Sequence, residues 1–151
     1  MNSNGRSPVG GRIVACGKGQ ALIEASLLVP MIFFLFLGLT NFGFYIYAFI
    51  TVSNAARAAA QYTANLSLVG DDTAACDVAL REMQSLPNVA PLIACTAPLQ
   101  VTADDYVEPT FGTQASRVTI TYETIQLFPL PFMAGKMTIH RTAVIGVITA
   151  S

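Results

Sequence analysis

Charge is scarce in this sequence: among 151 residues there are 8 Lys or Arg and 9 Asp or Glu, 11% in all, against 53% hydrophobic residues. Soluble domains carry about a quarter of their residues as charges, so part of this chain is built for lipid rather than water. The net charge of −1 supplies no clustered cations to displace the counterions of a phosphate backbone, which excludes nucleic acid as an expected partner. Histidine is almost absent. The single His140 lies in an alternating apolar and polar segment with no nucleophile motif or phosphate loop, so no enzyme activity, cofactor or metal is expected. Asp104, Asp105 and Glu108 come nearest to a carboxylate site, but Pro109 beside them suits the solvated end of a strand. Asp71, Asp72 and Asp77 lack the ligand number and spacing of a calcium loop and read as helix-start residues. Internal repeats and low-complexity linkers are also missing.

What is present is one long apolar run. Residues 25–52, ASLLVPMIFFLFLGLTNFGFYIYAFITV, contain no charge, and about 20 such residues suffice for a helix to cross roughly 30 Å of hydrocarbon. A helix apolar on every face for this length is read as transmembrane. Arg6, Arg12 and Lys18 precede it with no acidic residue among them. Short basic flanks stay cytoplasmic, which places the N-terminus inside and exports the C-terminal part. The run exceeds the apolar core of a secretory signal and has no clean small-residue exit. A lipoprotein-like box at residues 13–16 has no apolar segment before it. Of the three cysteines, Cys16 precedes the run and is expected to stay reduced, whereas Cys76 and Cys95 follow it and enter oxidising surroundings. A disulfide between these two would close a loop of about twenty residues and contribute roughly 3 kcal/mol.

Immediately before the run stands GQALIE, residues 19–24. A short basic leader ending in Gly, directly followed by an apolar helix, resembles the processing site of type IV prepilins. That likeness puts a prepilin peptidase cut between Gly19 and Gln20. Glu24 then becomes the fifth residue of the mature chain, at the spacing where such pilins carry their intramembrane carboxylate. An ionised carboxylate costs on the order of 2.5–3.5 kcal/mol at the centre of a membrane helix and less near the interface, so it signals a partner. The partner implied is the new N-terminal amine of a neighbouring subunit. The alternative is that Glu24 marks the wet, dipole-favoured first turn of a transmembrane helix.

The wider string from Gly19 to Ala64 resembles the N-terminal region of TadE-like proteins of tight-adherence (type IVc) pilus systems. The resemblance rests on Glu24 and Ala25, on Pro30, on Phe42 and Gly43, and on NAAR at residues 54–57 followed by Ala58, Ala59 and Ala60. Ser26 and Phe44 depart from that pattern, where a more apolar and a basic residue are frequent. The resemblance implies a pseudopilin, or minor pilin, whose partners are prepilin peptidase, other pilins and the Tad assembly machinery in the bacterial inner membrane. Pro30 removes one backbone hydrogen bond and favours a kink, or is simply tolerated there.

Past the bilayer the alanine-rich residues 51–66 continue the helix as a projecting stalk. Residues 70–73, GDDT, break it and cap a second helix with a stripe of Cys76, Leu80, Met83 and Leu86 that ends before Pro87. Three alternating segments follow: Leu99, Val101, Ala103; Val118, Ile120, Tyr122; and Ile139, Ala143, Ile145, Val147. Thr119, Thr121 and Glu123 supply the polar face of a small antiparallel sheet. Residues 128–135, FPLPFMAG, form an apolar connection, either tucked against membrane or core or exposed to another subunit. The expected class is α+β: a leader over residues 1–19, a transmembrane and projecting helix over 20–69, and an exported head over 70–151. Two functions compete, a processed pilus-assembly subunit and an unprocessed, membrane-anchored exported binding module. Removal of the leader separates them.

Overall fold

The computed structural model describes residues 17–65, 67–109, 112–128 and 135–147. Arg6, Arg12, Cys16 and most of the apolar connection, residues 129–134, lie outside the described residues. The element order is two helices followed by three strands: α1 (Gly17–Thr63), α2 (Asp72–Glu82), β1 (Leu99–Val107), β2 (Gln114–Glu123) and β3 (Thr138–Gly146). The architecture is α+β, as the alternating segments predict.

The chain divides into two compact units, Met1–Phe36 and Leu37–Ser151. In the first, α1 continues through Pro30, and every described side chain from Gly19 to Phe36 is exposed. Leu, Ile, Val and Phe side chains point outward all round, an arrangement that water penalises and lipid accepts. α1 is the one helix, among the described residues, long and apolar enough to cross a membrane.

In the second unit the rest of α1 covers one face of the sheet. Its inward positions, Ala48, Val52, Ala55, Ala56, Ala59 and Ala60, are fully buried and recur every three or four residues. Because these side chains are small, the large ones of the core come from elsewhere: Tyr122, Ile120 and Leu99 from the strands, Met83 and Leu86 from the C-cap of α2 and the turn after it. Full burial of each such large side chain contributes about 1.5–3 kcal/mol. The sequence assigned residues 25–52 to lipid as a block, yet Ala48 and Val52 belong to this core. Composition could not reveal that division, since a small apolar residue suits lipid and core alike.

At Gly70, φ of +76° makes the left-handed turn that glycine accepts at low cost. The turn delivers Asp71 as the cap of α2, where its Oδ1 accepts from the Thr73 and Ala74 N–H groups at 2.9 and 3.1 Å. α2 ends at Glu82, earlier than expected, and its inward face centres on Ala75 and Ala79. Cys76 and Leu80 are half-buried, whereas Met83 and Leu86 are fully buried beyond the helix. Cys76 and Cys95 are joined by a disulfide, which ties α2 to the segment leading into β1.

The sheet is antiparallel throughout, in the order β1-β2-β3. Its register pairs Val101 with Ile120 and Ile120 with Arg141. The inner face carries Leu99, Val101, Ala103, Val118, Ile120, Tyr122 and Ile139, with Ala143 and Ile145 half-buried at its margin. Asp72 accepts a hydrogen bond from the Ala103 N–H, so α2 blunts the β1 edge. β3 forms the opposite edge.

Candidate assembly surfaces

Gly19, Gln20 and Glu24 lie on the first turns of α1, all exposed. One helical turn brings the Gln20 Nε2 to the Glu24 Oε1 at 3.2 Å, the ordinary reach of an i, i+4 pair. Ser26 turns inward on its own helix, its hydroxyl donating to the Ile23 carbonyl at 2.8 Å. Between Ala21 and Phe36 Glu24 is the sole charged residue, on a helical surface that is otherwise apolar apart from Ser26.

Within the second unit, several functional contacts escaped the sequence reading. Asn41 is the sole amide side chain in the apolar run, and that isolation was the available signal, since a polar group in a lipid-facing helix usually bonds a neighbouring element. Its Nδ2 donates to the Phe128 carbonyl at 3.0 Å, and its Oδ1 accepts from the Phe128 N–H at 3.1 Å. At the far end of α1, the buried Thr63 and Ser116 hydroxyls meet at 2.6 Å, fixing the helix to β2. Between these points the Arg141 guanidinium lies over the Phe49 ring, 3.8 Å from its centroid, a cation–π contact worth about 0.5–1 kcal/mol.

Arg141 also lines an open groove of about 550 Å³ between α1 and β3, with Phe49, Ser53, Arg57 and Gln61 on the helix side. Its two cations have no carboxylate within ion-pair distance among the described residues, where the one ion pair is Lys136 with Glu123 at 3.3 Å. A neighbouring core network joins the Tyr122 hydroxyl to the Asn88 Oδ1, while the Asn88 Nδ2 donates to the Glu123 carbonyl at 3.0 Å. Burial raises the Tyr122 pKa above its ordinary value of 10.0, against a smaller lowering by the Asn88 hydrogen bond.

The residues considered for other chemistry are scattered. His140 stands exposed on the outer face, its Nδ1 2.9 Å from the Thr121 hydroxyl. Asp104 and Asp105 are exposed on β1, and Arg117 packs over Tyr106 at 3.6 Å beside them. Among the described residues no three His, Cys, Asp or Glu side chains gather as metal ligands would.

Residues 19–61 match the family model described as TadE-like protein. No curated protein and no solved structure matched the chain. The family match begins at Gly19, includes Glu24 and Pro30, and ends two residues before the end of α1, so it covers the apolar helix and its alanine-rich continuation. Over residues 19–61 this chain is thus similar to the TadE-like family, and the matched stretch is a helix long and apolar enough to cross a membrane.

Proposed function

We propose that the chain is a minor pilin, or pseudopilin, cut between Gly19 and Gln20 by prepilin peptidase and used in assembly of a type IVc (Tad/Flp) pilus for adhesion or secretion. α1 crosses the bacterial inner membrane with its N-terminus cytoplasmic, and the α+β head stands on the periplasmic or outer side. Glu24 meets the amine created at Gln20 on a neighbouring pilin or pseudopilin, which offsets the cost of holding either charge near lipid and sets the axial register of the helices. The observation that carries this reading is the start of the TadE-like match at Gly19, directly ahead of a lone carboxylate on an exposed apolar helix.

Glu24→Ala tests it. The substitution makes the helix more apolar and leaves its insertion intact, so the protein should reach the membrane at its usual level. Piliation should fall sharply. Normal pili from the variant would remove Glu24 from the mechanism.

A second reading, the unprocessed and membrane-anchored binding module, draws on the groove beside Arg57 and Arg141, whose unneutralised cations suit an acidic partner. It requires neither a removable leader nor Glu24.

A further inference from the structure

Four large apolar side chains are exposed together at one end of the second unit: Phe42 at 57%, Leu127 at 40%, Phe128 at 41% and Met137 at 44%. Phe42 and Met137 line one apolar cavity of about 160 Å³ with Asn41 and Tyr45. The two Asn41 hydrogen bonds hold Phe128 against the same turn of α1. Among the described residues these side chains have no cover, and their position along the chain points to one.

α1 is a single helix from Gly17 to Thr63. Counted along the chain from Gln20, just past the last cation before the apolar stretch, Lys18, a rise of 1.5 Å per residue brings about 30 Å of helix to its end near Asn41, which is the hydrocarbon thickness of a bilayer. A span that begins there would reach its outer hydrocarbon boundary near Asn41, the residue to which the Phe128 backbone is bonded. Lys136, with 68% of its side chain exposed, adjoins Met137. Aromatic and long apolar side chains with a lysine beside them are the composition of a membrane interface.

We infer that the rim formed by Phe42, Leu127, Phe128 and Met137 docks on the outer surface of the bilayer that α1 crosses, its apolar side chains at the level where headgroups meet acyl chains. The head then rests on the membrane before assembly, and its extraction into a fibre must expose or re-cover this rim. This inference rests on α1 spanning a bilayer and is independent of cleavage at Gly19.

The sequence contains no Trp, so a single introduced indole reports its own surroundings. The full chain is reconstituted in phosphatidylcholine vesicles whose lipids carry bromine either near the top of the acyl chain or near its middle. Leu127→Trp should show blue-shifted emission and lose about half its intensity to the upper bromines, and less to the middle ones, as an interfacial indole does. Met137→Trp should agree, which guards against a local effect of one substitution. Leu28→Trp, on the exposed apolar part of α1, reports the span itself and should be quenched most by the middle bromines. Val144→Trp, exposed on the outer face of β3, should be quenched by neither. If Leu28→Trp is quenched while both rim variants behave like Val144→Trp, the docking inference is overturned and the spanning helix stands. If Leu28→Trp is not quenched, the span fails and the inference with it.

Discussion

Asn41 and Phe128, far apart in sequence, exchange two hydrogen bonds through one side-chain amide, donating at 3.0 Å and accepting at 3.1 Å. The pairing satisfies both backbone polar groups of Phe128 at the point where the apolar connection leaves the sheet. In or near lipid, no water replaces a lost partner. Asn41→Ala should therefore destabilise the head by about 1–2 kcal/mol, the cost of leaving a part-buried donor and acceptor without their partner. Urea unfolding of the protein in micelles, followed by circular dichroism, measures this. Unchanged stability would mean that the pair forms without contributing.

The alanine face of α1 gives a prediction of opposite chemistry. Ala59 is fully buried in the core cluster that α1 shares with α2 and the sheet. Ala59→Leu adds three carbons there and should cost about 1–3 kcal/mol by overpacking. Gln61→Leu, two residues on and exposed, should stay within about 0.5 kcal/mol of the parent. Thermal melts of the two variants distinguish a packed face from a lipid-facing one, because a helix surrounded only by lipid would tolerate both changes equally.

Tyr122 links stability to alkaline pH. Its raised pKa means that the folded chain keeps the phenolic proton after the unfolded chain has released it. Stability is then fully present below the unfolded value near 10 and is lost as pH rises through the folded pKa. Denaturant midpoints compared at pH 9 and pH 11 should fall at the higher pH, and Tyr122→Phe should lessen that fall. The variant should also lose about 1 kcal/mol at neutral pH, through the hydrogen bond to Asn88.

How much of this was legible beforehand depends on how local its cause is. The strands were readable because Leu99, Val101, Ala103 and Val118, Ile120, Tyr122 alternate with polar residues, and a period of two requires no knowledge of partners. The start of α2 was readable from Gly70 and Asp71 for the same reason. Its inward face was not: Cys76 and Leu80 are larger and more apolar than Ala75 and Ala79, yet the core already receives its bulk from Tyr122 and Met83 and leaves α2 only small gaps. Asn41, Arg141 and Asp72 owe their roles to groups distant in sequence, namely Phe128, Phe49 and the Ala103 N–H. The helix of the TadE-like match was legible by its apolar length and composition alone, whereas the roles proposed for Gly19 and Glu24 depend on a peptidase and a neighbouring chain and leave no mark on the fold.

The most direct measurement is the N-terminal residue of the protein recovered from membranes of cells with and without the cognate prepilin peptidase. A processed pilus-assembly subunit begins at Gln20 when the peptidase is present and retains its leader when it is absent. A chain that begins at Met1 or Asn2 in both contradicts processing and leaves the anchored binding module in its place.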